Sequence, residues 1–265
     1  MWPAQPTTPV VIVYRLHVPR LGGLARTTED RLAAPSRDEM TAPRPTRSPG
    51  PLPTTLVVTL VPAAAALDIV GGTLNSLLGL PTYLDTIGTC VAAIVLGPWW
   101  GALTGILANI GGAVYFGPTN IPFGLANALA ALMWGYGVRT FLLGRNPYTY
   151  FGLNAAVGVA TGAVGALIAL VVFGGTTGHA SDAITAALTQ AGEALREAVL
   201  TSSVLTSLGD KIISGFVGLA IVRALPGSMT EGLVLPGEVG MRSLLLVTLG
   251  TVLGVGVVLV SLQLG

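Results

Sequence analysis

The sequence predicts an all-α fold, a polytopic bundle of membrane-crossing helices. Four observations carry that expectation. Only 9% of the residues are charged, whereas a soluble globular domain carries about 25%. The mean hydropathy is +0.75, and glycine, which lets membrane helices approach closely, occurs 36 times. Beyond Pro53 the chain falls into successive apolar segments of about 20 residues, the length that crosses roughly 30 Å of hydrocarbon.

Residues 1–53 stand apart from that pattern. They are rich in Pro, Arg, Thr and Ala, and the apolar run in "PTTPVVIVYRLHVPR" is only five residues long, too short for a span or a signal core. Seven of the 13 basic residues fall here against four acids. The segment reads as a disordered cytoplasmic extension. Met40 opens "MTAPRPTRSPGPLP", which resembles a natural start, so residues 1–39 read as a mis-assigned leader.

The predicted spans are 54–78, 84–97, 98–117, 122–143, 149–173, 199–224 and 241–263. Pro98 in "GPWWG" closes the second and opens the third, because proline lacks an N–H to donate and suits a first helical turn. Two spans and one broken hairpin both fit there. Residues 176–198 are more polar and amphipathic, and suit an extramembrane loop better than a span. The chain thus divides into the 1–53 extension, a six-helix membrane domain over 54–226, and a 227–265 linker with a seventh span.

Lys and Arg placement sets the expected orientation. With the N-terminus in the cytoplasm, Arg139, Arg145, Arg223 and Arg242 lie inside, and the outer loops hold only Arg196, beside Asp182, Glu193 and Glu197. A multi-pass protein of the cytoplasmic membrane is expected. The loops "LGLPTYLD", "YFGPTNIPF" and "FGGTTGHASD" then share the outer face, which looks built for polar recognition.

No motif for covalent or nucleotide chemistry is present. There is no G-x-S-x-G, H-E-x-x-H or P-loop, and Gly-rich "GGTLNSLLG" lacks the strand-then-helix setting of a nucleotide fingerprint. The chain is therefore expected not to be an enzyme and not to power ATP-driven transport by itself. Cys90 is the single cysteine, and His17 and His179 lie far apart. No disulfide, zinc site or other cofactor is expected, nor a nucleic-acid partner.

The candidate residues are polar groups in apolar surroundings. An Asp at the centre of a span costs about 2.5–3.5 kcal/mol, so Asp68 either sits near the boundary or faces a binding cavity. Asp85 follows the turn "GLPTYLD". It reads as an acid capping a helix N-terminus, as a ligand-facing carboxylate beside Tyr83, or as both. Asn75, Asn109, Asn120 and Asn127 cluster toward the outer ends of their spans. They serve either as interhelical struts or as donors and acceptors for a neutral or zwitterionic ligand. Asp210 and Lys211 are neighbours on one helix, pointing about 100° apart, so each is expected to find its partner elsewhere, Lys211 with Asp68 or Asp85, either in a structural intramembrane ion pair or in contact with a ligand. Tyr83, Tyr115, Phe116 and Phe123 offer rings for stacking. The pairs Gly101 and Gly105, Ala126 and Ala130, and Gly158 and Gly162 permit close helix packing. Trp99 and Trp100 read as interface anchors.

Four stretches together, "LNSLLGLPTYLDTIGT", "LGPWWGALTGILAN", "GPTNIPFGLAN" and "DKIISGFVGLAIVRALP", resemble the S components of energy-coupling factor (ECF) vitamin transporters. The resemblance covers residues 55–226. It implies a six-helix membrane receptor that captures a vitamin or related micronutrient from outside. Its partners would be a coupling membrane subunit and two ATPase subunits, with lipid around it. It also implies a site under the loops after the first, third and fifth helices, here carrying Tyr83 and Asp85, Thr119, Asn120 and Phe123, and the loop near His179. Docking to the coupling subunit uses small residues on the first helix, here the run Ala63, Ala64, Ala65 and Ala66 in place of the family's A-x-x-x-A. The seventh span is a departure, since the six-helix family ends inside. Two rival readings stand beside this one: a stand-alone carrier with a proton site at Asp68 or Asp210, and a structural membrane protein without a ligand.

Overall fold

The computed structural model describes residues 54–80 and 82–235, all within one compact unit. The N-terminal extension, the Met40 start and the seventh span lie outside the described residues. Among the described residues every regular element is helical. The helices are α1 (Thr54–Leu78), α2 (Ile87–Val95), α3 (Pro98–Phe116), α4 (Gly124–Arg139), α5 (Pro147–Phe173), α6 (Asp182–Gln190), α7 (Leu195–Ala224) and α8 (Gly227–Thr230), with a 3₁₀ turn over Pro118–Phe123 leading into α4. Four helical segments are long and apolar enough to cross a membrane: α1, α4 with its 3₁₀ turn, α5 and α7. Their outward residues, among them Val58, Leu74, Leu125, Leu167 and Val171, are large and apolar, which suits hydrocarbon and not water. The protein is embedded in a membrane through these helices.

Each helix is punctuated by its sequence. At the end of α1, Gly79 takes φ +61 and the Leu80 amide returns to the Asn75 carbonyl at 3.2 Å, a left-handed C-terminal cap. Asn146 starts α5, accepting from the Thr149 amide at 2.9 Å ahead of Pro147. Gly174 (φ +69) ends it. The buried stripe of α1, Val57, Val61, Ala64, Ala65, Asp68, Gly71, Gly72 and Asn75, recurs every three or four residues, so one face meets the bundle.

The expected second span, 84–97, is corrected. Helix α2 holds only nine residues, about 14 Å of rise, and cannot cross a bilayer alone. It is a buried strut instead, with every residue from Gly88 to Leu96 inside. A buried helix must satisfy its free backbone ends, and two polar side chains do so here. Asp68 of α1 accepts the Gly88 amide at 2.6 Å, the Thr89 amide at 3.0 Å and the Thr89 hydroxyl at 2.6 Å. At the other end, Arg139 of α4 donates to the carbonyls of Ile94 at 2.9 Å and Val95 at 3.1 Å. The Arg139 cation at the C-terminus also complements the helix dipole. Gly97 (φ +108) then reverses the chain into Pro98, the first residue of α3.

The hydrophobic core gathers around the end of the bundle where α2 finishes. Trp134, Tyr150, Leu219 and Val222 are fully buried there. Their polar atoms are paired: Trp134 Nε1 donates to Asn154 Oδ1 at 2.7 Å, and Tyr150 Oη donates to the Gly215 carbonyl at 2.8 Å. Cys90 is buried near this core, within 3.7 Å of the Tyr150 hydroxyl.

Candidate ligand cavity

At the opposite end, where α1, α3 and α5 finish and α2, α4 and α7 begin, the helices part around a cavity of about 370 Å³. Three connections contribute to it: the α1–α2 loop, the 3₁₀ turn and the α5–α6 loop. In the first loop Leu84 adopts φ +52, a left-handed conformation that costs a leucine about 1–2 kcal/mol. Strain of this kind persists only where surroundings hold it. Asp210 of α7 does so, its Oδ1 accepting the Leu84 amide at 2.6 Å and the Tyr83 amide at 3.3 Å. The kink leaves both Tyr83 and Asp85 on the cavity wall.

Of the ten residues expected to meet a substrate, six line the cavity: Tyr83, Asp85, Asn120, Phe123, Asn127 and Lys211. Asp68, Asn75, Asn109 and Asp210 are fully buried outside its lining. These four serve local structure. Asp68 caps α2 and Asp210 holds the α1–α2 loop, as described above. Asn75 donates to the Thr82 carbonyl at 2.6 Å and accepts the Thr82 hydroxyl at 2.5 Å, stapling the start of that loop. Asn109 donates to the Gly105 carbonyl at 3.0 Å, while its own main-chain carbonyl accepts from Asn120 at 2.9 Å. Asp68 and Asn109 also border a second pocket of about 20 Å³ with Asp85 and Asn120, room for about one water.

Two expectations about the charges are corrected. Asp85 does not cap α2, because Asp68 already occupies that place. Asp85 Oδ2 instead accepts from Asn127 Nδ2 at 3.0 Å, and its side chain keeps 28% exposure. Lys211 does find its neighbour: Nζ lies 2.5 Å from Asp210 Oδ2 and 3.0 Å from Thr86 Oγ1. The 100° between adjacent positions fixes only where the side chains leave the helix, and four methylenes let the ammonium curl back. The expected pairing of Lys211 with Asp85 is present too, as a longer ion pair with Nζ 3.7 Å from Oδ1, close enough for attraction but too far for a hydrogen bond.

The α5–α6 loop packs over Tyr83. Asp182 folds it, accepting the amides of Thr177 at 2.9 Å and Gly178 at 2.7 Å. The His179 ring lies 4.7 Å from the Tyr83 ring at a 44° tilt. Burial pushes the Tyr83 phenol up to about 12, against an opposing hydrogen bond from Ser181, so at neutral pH it is a donor. Burial also holds the His179 imidazole below its ordinary value, against the pull of Asp85, Asp182 and Asp210. The Ser181 amide points at its Nδ1, 3.4 Å away, which leaves the proton of the neutral ring on Nε2. Phe123 stacks on Phe173 at 5.9 Å.

Two further walls were readable as periodic stripes but escaped notice. Helix α7 presents Val199, Ser203, Ser207 and Lys211, and α5 presents Thr161, Gly165 and Ala169. Both repeat every four residues, one face of a helix. The stretch "SSVLTSLGDK" carries the first in plain view. The small residues of α5 read more readily as packing, which Gly158 and Gly162 indeed provide: a Cβ on either would sit 2.6 Å from an α7 Cα.

Among the described residues no group of three or more His, Cys, Asp or Glu is placed to hold a metal ion. The cavity offers carboxylate, ammonium, amide, hydroxyl and aromatic groups, a set suited to holding a small polar molecule with a flat portion. The chain matches no family model, no curated protein and no solved structure.

Proposed function

We propose that this chain is the substrate-capturing membrane subunit of an ECF-type importer for a vitamin or related micronutrient, energised by a separate coupling membrane subunit and two ATPases. The observation that carries the reading is the cavity of about 370 Å³, set at one end of a helical bundle beneath converging loops. Its size and mixed lining fit a small organic ligand. In this reading α1, α2, α3, α4, α5 and α7 form the six-helix receptor, and the cavity end faces outward. Arg139, Arg145 and Arg223 then lie at the cytoplasmic end, in keeping with the positive-inside rule.

Docking to the coupling subunit falls to the open face of α1. Ala63 and Ala66 are exposed beside Pro62 and Val70, whereas Ala64 and Ala65 face the bundle. Only the first pair is placed to meet a partner helix, three residues apart on one face.

Affinity purification from the native membrane in a gentle detergent tests the proposal. The expected result is recovery of two ATPases and one further membrane protein, lost when Ala63 and Ala66 are both changed to Leu. An intact, folded chain that brings down no ATPase, together with uptake that follows the proton gradient alone, contradicts it and favours a stand-alone carrier.

A further inference from the structure

The cavity's charge identifies the class of ligand. Asp85 and Asp182 line it against a single ammonium, Lys211. That ammonium is already committed, 2.5 Å from Asp210 Oδ2 and 3.0 Å from the Thr86 hydroxyl. Asp210, wholly buried, gives its other oxygen to the Tyr83 and Leu84 amides. With Asp210 included, three carboxylates stand against one cation. His179 adds no compensating charge at neutral pH, since burial keeps its imidazole unprotonated.

Exposure points the same way. The Asp85 side chain keeps 28% of its surface, against 3% for Lys211, so the carboxylate is the ion an incoming molecule meets. Its Oδ1 is turned inward, buried without a hydrogen bond and 3.7 Å from the Lys211 ammonium, so the side chain's open surface lies elsewhere on the carboxylate. Asn127 holds the other oxygen, fixing the carboxylate, and Lys211 offsets only one of the three negative charges gathered here. Tyr83, Phe116 and Phe123 add rings to the same wall, and an aromatic face attracts cations and stacks on planar groups.

We propose that the cavity takes an organic cation built on a flat ring, with its positively charged N–H edge on Asp85 and its ring among Tyr83, Phe116 and Phe123. A negatively charged molecule is repelled by the same walls. This inference rests on the capture reading above, yet the two fail separately. Recovery of the ATPases together with a preference for anions leaves the importer standing and removes the cation.

Three probes of nearly one shape isolate charge: benzamidine, a planar cation; benzamide, its neutral counterpart; and benzoate, the anion. Binding of each to the purified full chain in lipid nanodiscs is measured by calorimetry. The expected order is benzamidine, benzamide, benzoate, with benzamidine about tenfold tighter than benzamide for one unshared charge contact. Asp85→Asn is expected to erase most of that advantage. Benzoate binding as tightly as benzamidine, equal affinity for all three, or no binding of any by folded protein overturns the proposal. The charge series on the unmodified chain decides the matter even where Asp85→Asn fails to fold.

Discussion

The two ends of the bundle use the same helices for opposite purposes. Where α2 finishes, α4, α5 and α7 bury Trp134, Tyr150 and Leu219 and pair their polar atoms internally. Where α2 begins, α4, α5 and α7 turn Asn127, Thr161 and Ser203 toward a cavity. The change happens within a few turns. On α5, Gly158 and Gly162 lie so close to the α7 backbone that neither has room for a Cβ, while a Cβ on Gly165, one turn further, meets nothing within 4 Å. One run of small residues thus closes a seam at one end and leaves room for a ligand at the other.

Breaking the closed end is expected to cost most. Trp134→Ala removes a fully buried indole and strips Asn154 of its donor, a loss of about 3–5 kcal/mol. Thermal unfolding in detergent reads it, and ligand affinity of the folded fraction stays the same. Asp68→Ala comes next. It leaves the Gly88 and Thr89 amides unpaired inside the bundle, at about 1–3 kcal/mol for the lost acceptor. Asp68→Asn, which keeps one acceptor oxygen, recovers part of the unfolding temperature.

A smaller effect changes sign between the ends. Gly165→Ala places its methyl in open space and stabilises the helix by about 0.5–1 kcal/mol. Gly158→Ala forces α5 and α7 apart and lowers the unfolding temperature. Equal shifts at the two positions would dissolve the distinction between seam and cavity.

The smallest effect is one of pH. The folded His179 is held below its ordinary value of 6.5 by burial, so the unfolded chain takes up its proton at a higher pH than the folded chain does. Its contribution to stability is whole above about pH 6.5 and is lost as pH falls through that value toward the folded one. His179→Gln is expected to flatten the unfolding temperature between about pH 7.5 and 5.5. An unchanged slope would place the titrating group elsewhere.

The all-helical class and the four membrane-crossing segments at α1, α4, α5 and α7 were legible because length and hydropathy decide them. The Tyr83, Asp85 and Asn127 corner was legible too, since polar residues at helix ends next to turns have few purposes. Which acid faces the cavity was not. Asp68, Asp85 and Asp210 look alike in sequence, and only the fold reveals that two of them answer backbone amides left free by the short helix α2 and the kinked loop before it. Nor does the sequence reveal that Lys211 folds back on its neighbour. Four-residue spacing on α7, Ser203 to Ser207 to Lys211, was a usable signal, because it places three polar groups on one face of the helix.

The most direct test is native mass spectrometry of the full chain released from its own membrane, beside Gly165→Leu. Gly165 lines the cavity and a Cβ there meets nothing within 4 Å, so a leucine side chain takes up part of the ligand's space. If the cavity captures the substrate, the unmodified protein carries a small molecule of defined mass, and Gly165→Leu remains folded but empty. A folded Gly165→Leu that retains the same molecule would place the binding site elsewhere and contradict the reading.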